Sequence, residues 1–223
     1  MDRKLFIQAI TKFFLGVVLV GALLFLPAGT FAYREGWLLM AILFLPMFAA
    51  GLIMLKKCPE LLRKRLNARE SEMEQKTVLL FSGLMFLAAF VAAGLNHRFG
   101  WIPLPAWVSP VFALVFLLAY GLYAEVLREN AYLSRTVEVQ ENQKVIDTGL
   151  YGVVRHPMYM STLLLFLAMP LVLGSLISLA VMLLYIPIIA KRIRNEEQVL
   201  EAGLEGYAEY KRRVRYKVIP YLW

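Results

Sequence analysis

The chain has 223 residues, 60% of them hydrophobic, and a net charge of +8. A soluble domain carries about 45–50% apolar residues, so this excess, gathered into long runs between short charged stretches, excludes a single water-soluble core and predicts membrane spans. The basic balance fits the cytoplasmic flanks of spans against anionic lipid rather than nucleic acid, for which the sequence holds no binding module.

Arg3, Lys4 and Lys12 accompany the first apolar run, Ile10–Ala32. That run is long for a signal h-region, so it is expected as a retained span. A second run covers Gly36–Leu55. The charged stretch 56–76 follows, with the alternating signs of a solvated or amphipathic helix. It holds Cys58, and a single cysteine excludes an intrachain disulfide framework and a Cys-rich metal site. Thr77–Leu95 and Trp107–Leu127 are the third and fourth runs. Like the first two, they are long enough to cross a hydrocarbon core of ~30 Å as helices. Trp37, Trp101 and Trp107 fall at segment ends, as interfacial anchors do. His97 lies in the connection beside Arg98, and no function is assigned to it.

Pro157–Leu173 and Ser175–Ala190 meet at Gly174 and read as a helical hairpin. Pro170 and Pro187 predict a bend in each arm, because proline removes a helical donor. With six spans, 22 of the 24 Lys and Arg residues fall on one side, and only Arg34 and Arg98 on the other. The positive-inside rule then puts both termini in the cytoplasm. The expected architecture is all-α: a polytopic integral membrane protein with six transmembrane helices and a C-terminal cytoplasmic helix. Residues 1–127 form an N-terminal four-helix region. Residues 128–223 form a loop, the hairpin and the last helix, integrated with it in one membrane domain.

Polar residues that need a reason concentrate between Ser134 and Tyr210. The loop 134–149 offers backbone groups suited to an adenine edge or an amino-acid moiety. Pro157 suits the first turn of a helix, where its missing N–H goes unmissed. Arg155 and His156 then stand at a helix N-terminus, a natural place for a ligand carboxylate or, alternatively, for lipid headgroups. After the hairpin come Arg192, Glu196 and Glu197. Arg192 and Glu196 are one turn apart, which allows a plain ion pair, or a Glu196 that holds a ribose or amino group beside an Arg192 facing an anionic substrate. The tail, with Tyr207 and Tyr210, fits packing on the membrane face as well as it fits a ligand role.

The ordered set Gly149-x-Tyr151-x-x-x-Arg155-His156-Pro157-x-Tyr159, a hairpin, Glu196-Glu197-x-x-Leu200, Gly206-Tyr207-x-x-Tyr210 and Pro220 resembles the isoprenylcysteine carboxyl methyltransferase family and its phospholipid methyltransferase relatives. The resemblance covers roughly residues 130–223. It implies an integral membrane enzyme whose cofactor, S-adenosylmethionine, occupies a cytosolic pocket. It implies cofactor contacts from Gln140, Gln143, Lys144, Val145 and Ile146, then from Gly149, Tyr151, Arg155, His156, Pro157, Met158 and Tyr159, and from Glu196. Arg192 would face a lipophilic substrate entering from the bilayer. Leu150, Ser161 and Gln143 stand where the family often has Pro, Gly and His.

Methyl transfer from a sulfonium asks mainly for alignment and desolvation. A carboxylate acceptor needs no base, being ionised at neutral pH, but does need a cation such as Arg192. An amine acceptor needs a proton acceptor, for which Glu197 or His156 is the candidate. Carboxyl methylation is favoured, with Arg192 and Glu197 as the expected catalytic pair and no metal. The alternatives are phospholipid or amine N-methylation, an NADPH-dependent membrane reductase, and a non-enzymatic transporter or scaffold.

Overall fold

The computed structural model describes residues 3–66, 73–130, 132–133 and 139–223. The loop stretch Ser134–Glu138, expected to help enclose the cofactor, lies outside the described residues, as does part of the charged segment 56–76. Among the described residues the elements are helices and one short turn of 3₁₀ helix, with no strand. In order they are α1 (Arg3–Ala28), α2 (Arg34–Lys57), α3 (Pro59–Leu66), α4 (Met73–Phe99), α5 (Val108–Glu129), the 3₁₀ turn Gly149–Gly152, α6 (Pro157–Val172), α7 (Leu176–Met182), α8 (Tyr185–Gly203) and α9 (Tyr207–Arg213).

The apolar runs become helices, and their faces divide between a shared core and the surroundings. Leu24, Leu39, Phe116, Val172 and Met182 are fully buried between helices. Phe14, Leu15, Val18, Leu26, Leu45, Leu80, Leu114 and Leu118 point outward. So large an exposed apolar surface is stable only against lipid. α1 lies along α4 and α2, and α5 lies along α6. Ala89 and Ala93 are fully buried on α4, and Gly94 brings that helix close to α1, where a Cβ would sit 2.6 Å from the Leu24 carbonyl oxygen. Small residues allow this close approach of two apolar helices.

Five helical segments are long and apolar enough to cross a membrane among the described residues. The expected six spans differ from this in the hairpin. α6 has 16 residues, shorter than a full crossing, and α7 with α8 counts as one segment, Leu176–Gly203. The expected sixth span is not one unbroken helix. It changes to i→i+3 pairing where the Leu184 amide bonds to the Val181 carbonyl and the Ile186 amide to that of Leu183. Pro187 explains this, because its ring excludes the carbonyl of Leu183, four residues back, from α-helical pairing. The first span ends at Ala28 rather than Ala32, and the third reaches Phe99, which places His97 in the last turn of α4. The last helix has only seven residues.

The hairpin tip is tied from three sides. Helix C-termini leave carbonyls without partners. Here Ser109 Oγ donates to the Val172 carbonyl at 2.7 Å, Tyr33 Oη to Leu173 at 2.6 Å, and Asn96 Nδ2 to Gly174 at 3.3 Å. Gly174 makes the reversal with φ +69°, a conformation glycine adopts without steric cost. These contacts lock α6 at its far end, so its N-terminus is held where the polar residues gather.

Candidate active site

Pro157 is the first residue of α6 and is buried. The two residues before it pair with the tail: the Arg155 amide donates to the Tyr216 carbonyl at 2.9 Å and the His156 amide to Lys217 at 2.8 Å. The Arg155 side chain makes the same connection, with Nη1 donating to the carbonyls of Val214 and Arg215 at 2.7 Å each. Nε donates to Glu197 Oε1 at 2.8 Å. The guanidinium expected to meet a ligand carboxylate is therefore spent on binding the α6 N-terminus, α8 and the tail together.

Successive helical residues point about 100° apart, and the two acids of α8 diverge accordingly. Glu197 turns inward and is 4% exposed. Arg155 and His156 Nε2 meet its Oε1 at 2.8 and 3.2 Å, while Lys211 and Lys217 approach its Oε2 at 3.6 Å each. A carboxylate so surrounded accepts hydrogen bonds and cannot donate, so Glu197 is the acceptor in each of these contacts. Glu196 turns outward. Its Oε2 accepts from Tyr159 Oη at 2.5 Å, and its Oε1 lies 3.9 Å from His156 Nδ1. Arg192 Nε donates to the same Tyr159 oxygen at 3.1 Å. The Tyr159 hydroxyl thus sits between the cation and the acid that the sequence placed one turn apart.

His156, Tyr159, Arg192 and Glu196 border an open cleft. One wall is the loop Gln143, Lys144, Val145 and Ile146. Tyr151, Arg155, His156, Met158 and Tyr159 line it from the 3₁₀ turn and the start of α6, and Arg192 and Glu196 from α8. Of the expected contacts, Gln140, Gly149 and Pro157 do not line it. Gln140 instead braces the loop, its Nε2 donating to the Tyr132 carbonyl at 2.5 Å and its amide accepted by Gln143 Oε1 at 2.9 Å. Gly149 begins the 3₁₀ turn beneath the loop. Glu197, expected as a catalytic group, is also absent from the lining and stands behind it.

The cleft has walls that the sequence reading did not assign. Asn130 and Tyr132 enter from the end of α5, and Leu200, Leu204, Tyr207 and Tyr210 from α8 and the tail. The 3,4 spacing of Leu200, Leu204 and Tyr207 was the available signal, but an apolar helix face at that spacing reads equally as membrane packing. Tyr210 Oη donates to the Tyr151 carbonyl at 2.8 Å, and Tyr151 Oη accepts from Asn130 Nδ2 at 2.9 Å. Burial pushes the phenols of Tyr151, Tyr207 and Tyr210 above their ordinary range, so all three stay neutral. No cluster of three or more His, Cys, Asp or Glu side chains with metal-binding geometry occurs among the described residues.

Residues 111–202 match the family model of the isoprenylcysteine carboxyl methyltransferase (ICMT) family. The match spans most of α5, the turn Arg155–His156–Pro157, the hairpin and both acids of α8, and it is the family that the residue pattern resembles. The chain is also 31% identical over 91 residues to a Delta(14)-sterol reductase of Mus musculus. That similarity covers 40% of this chain and 22% of the reductase, so the chain spans only a fraction of the curated relative it matches.

Proposed function

We propose that this protein is an S-adenosylmethionine-dependent methyltransferase that modifies a lipophilic substrate, a carboxylate by preference, at the cytoplasmic membrane face. The topology that goes with this reading has both termini in the cytoplasm, with α6 and the α7–α8 segment as the two arms of an inner hairpin. The observation that carries it is the convergence of His156, Tyr159, Arg192 and Glu196 on one cleft, inside the stretch that matches a methyltransferase family.

The cleft suits such a cofactor on its donor set. Glu196 offers a carboxylate to hydroxyl or ammonium groups, Lys144 offers a cation to a carboxylate, and Val145 and Ile146 offer apolar cover to a flat ring. S-adenosylmethionine supplies a methyl group on a sulfonium, already activated for in-line displacement. What the protein adds is alignment and exclusion of water. Tyr159 orients Glu196 and Arg192 toward each other, and Arg192, on the α8 wall of the cleft, would hold an anionic acceptor in place. Glu197 is better read as a positioning residue than as a base, because cations engage both of its oxygens. That weighs against an amine acceptor, which needs a base, and for a carboxylate, which does not.

The similarity to a sterol reductase favours one other reading, a reductase using NADPH. Among the described lining residues the cations are Lys144, Arg155 and Arg192, and Arg155 already serves Glu197 and the tail. That leaves few for a third phosphate. Calorimetry of the detergent-solubilised protein with S-adenosylhomocysteine and with NADPH separates the two. The methyltransferase reading expects binding of the first and not the second. Glu196→Ala is expected to abolish that binding in a folded, monodisperse protein, and Arg192→Ala to keep binding while losing methyl transfer to lipid extracts. Binding of NADPH alone, or normal binding and turnover by both variants, would overturn it.

A further inference from the structure

Two neighbouring residues at the end of α5 grip the turn that carries Tyr151. Asn130 Nδ2 donates to Tyr151 Oη at 2.9 Å, and Glu129 Oε1 accepts from Thr148 Oγ1 at 2.8 Å. Thr148 stands directly before the 3₁₀ turn Gly149–Gly152 and two residues after Ile146, the last residue of the loop wall. Asp147, between Ile146 and Thr148, pairs with Arg213 of α9. Side chains from two helices therefore fix the end of that wall, α5 through Thr148 and α9 through Asp147.

The Glu129 contact is made against the interest of stability. Its second oxygen, Oε2, is buried with no hydrogen-bond partner among the described residues. A buried carboxylate oxygen left unmatched opposes folding. The backbone nevertheless makes room for it. Gly149 has φ +52°, and a Cβ there would overlap the Glu129 carboxylate. Gly149 does not line the cleft, so the missing side chain serves the approach of Glu129 and not that of a ligand. An acid on α5 and a glycine opposite it are thus both specialised for one contact that folding alone does not favour. An unmatched buried group that a protein retains calls for a reason outside folding. Here the contact leads, through Thr148 and Asp147, to Val145 and Ile146 in the cleft wall.

We propose that Glu129 is a positioning residue for the cofactor site. By holding Thr148 against the end of α5, it sets Val145 and Ile146 where they cover a ligand in the cleft. This rests on the cofactor reading above and adds to it a residue that stands outside the cleft and touches no ligand. It also gives Gly149 a role, as the space that the carboxylate needs.

The test is a cycle of Glu129→Ala, Thr148→Val and the double variant, each read by melting temperature without ligand and by calorimetry with S-adenosylhomocysteine. Melting and binding are expected to follow different patterns. Thr148→Val leaves both Glu129 oxygens unmatched and is expected to melt lower. Glu129→Ala removes the bond and the unmatched oxygen together, so it and the double variant are expected to melt at or above the wild-type temperature. All three are expected to bind about 10-fold more weakly, the double no worse than either single, because one contact is lost in each case. Glu129→Gln, which keeps an acceptor for Thr148, is expected to bind as the wild type does. Wild-type binding by Glu129→Ala overturns the assignment alone. So does a loss that multiplies to about 100-fold in the double variant, which independent sites would give. A Glu129→Gln protein as weak as Glu129→Ala, or binding losses that simply track melting temperature across the cycle, overturn it as well. A wild-type protein that binds no S-adenosylhomocysteine overturns the cofactor reading and this role together.

Discussion

Glu196 and Glu197 are adjacent and chemically identical, yet the helix gives them opposite surroundings. Glu197 holds two buried partners, Arg155 and His156, each about as buried as itself. Removing one member of a buried ion pair leaves the other charge uncompensated, at about 3–5 kcal/mol. Glu196 has a quarter of its side chain exposed and a tyrosine hydroxyl as its nearest partner. Glu197→Ala is therefore expected to lower the melting temperature in detergent by roughly 6–20 °C, taking 2–4 °C per kcal/mol for a chain of this size. Glu196→Ala is expected to change it little while removing cofactor binding. Equal destabilisation by the two variants would show that the division of roles is wrong.

Among the helices, the contact of α1 with α4 depends on the absence of one side chain. A Cβ at Gly94 meets backbone atoms of Leu24 and Ala28, which cannot move without parting the two helices. Gly83, on the same α4, has nothing within 4 Å of the same position. Alanine is the better helix former by about 1 kcal/mol, so Gly83→Ala is expected to raise or preserve thermal stability. Gly94→Ala is expected to lower it by about 1–3 kcal/mol net, the usual cost of overpacking. The paired melting curves check this directly, since helix propensity alone predicts stabilisation by both. The same reasoning covers the broken α7–α8 segment, where one proline changes the hydrogen-bond pattern without reversing the chain.

The whole molecule presents one polar end, where the α6 N-terminus, α8 and the tail meet, and one pinned end at the hairpin tip. Charge asymmetry puts the polar end in the cytoplasm under the proposed topology. The single thiol makes this testable without engineering, because Cys58 is exposed just after α2. A membrane-impermeant maleimide is expected to label Cys58 in inside-out vesicles and not in right-side-out ones. A Cys58→Ser protein carrying Arg98→Cys is expected to show the reverse. Labelling of both sites from one face contradicts the orientation.

Much of this was readable from the chain itself. Runs of apolar residues declare a membrane protein, because no other solvent accepts them at such length. Pro157 marks a helix start because its ring tolerates no other helical position so well. The spacing from Gly149 to Tyr210 is specific enough to carry a family resemblance. The roles within the cleft were not readable, since they depend on which way each side chain turns once helices far apart in sequence have packed. Only the packing of α8 against the tail sends Glu197 inward to Arg155 and Glu196 outward to Tyr159. Only the return of the tail beneath α6 spends the Arg155 guanidinium on backbone carbonyls and brings Tyr207 to the wall. A linear pattern encodes the identity and period of side chains, whereas partners 40 or 60 residues apart are chosen by three-dimensional packing, in which every buried polar group must find a match.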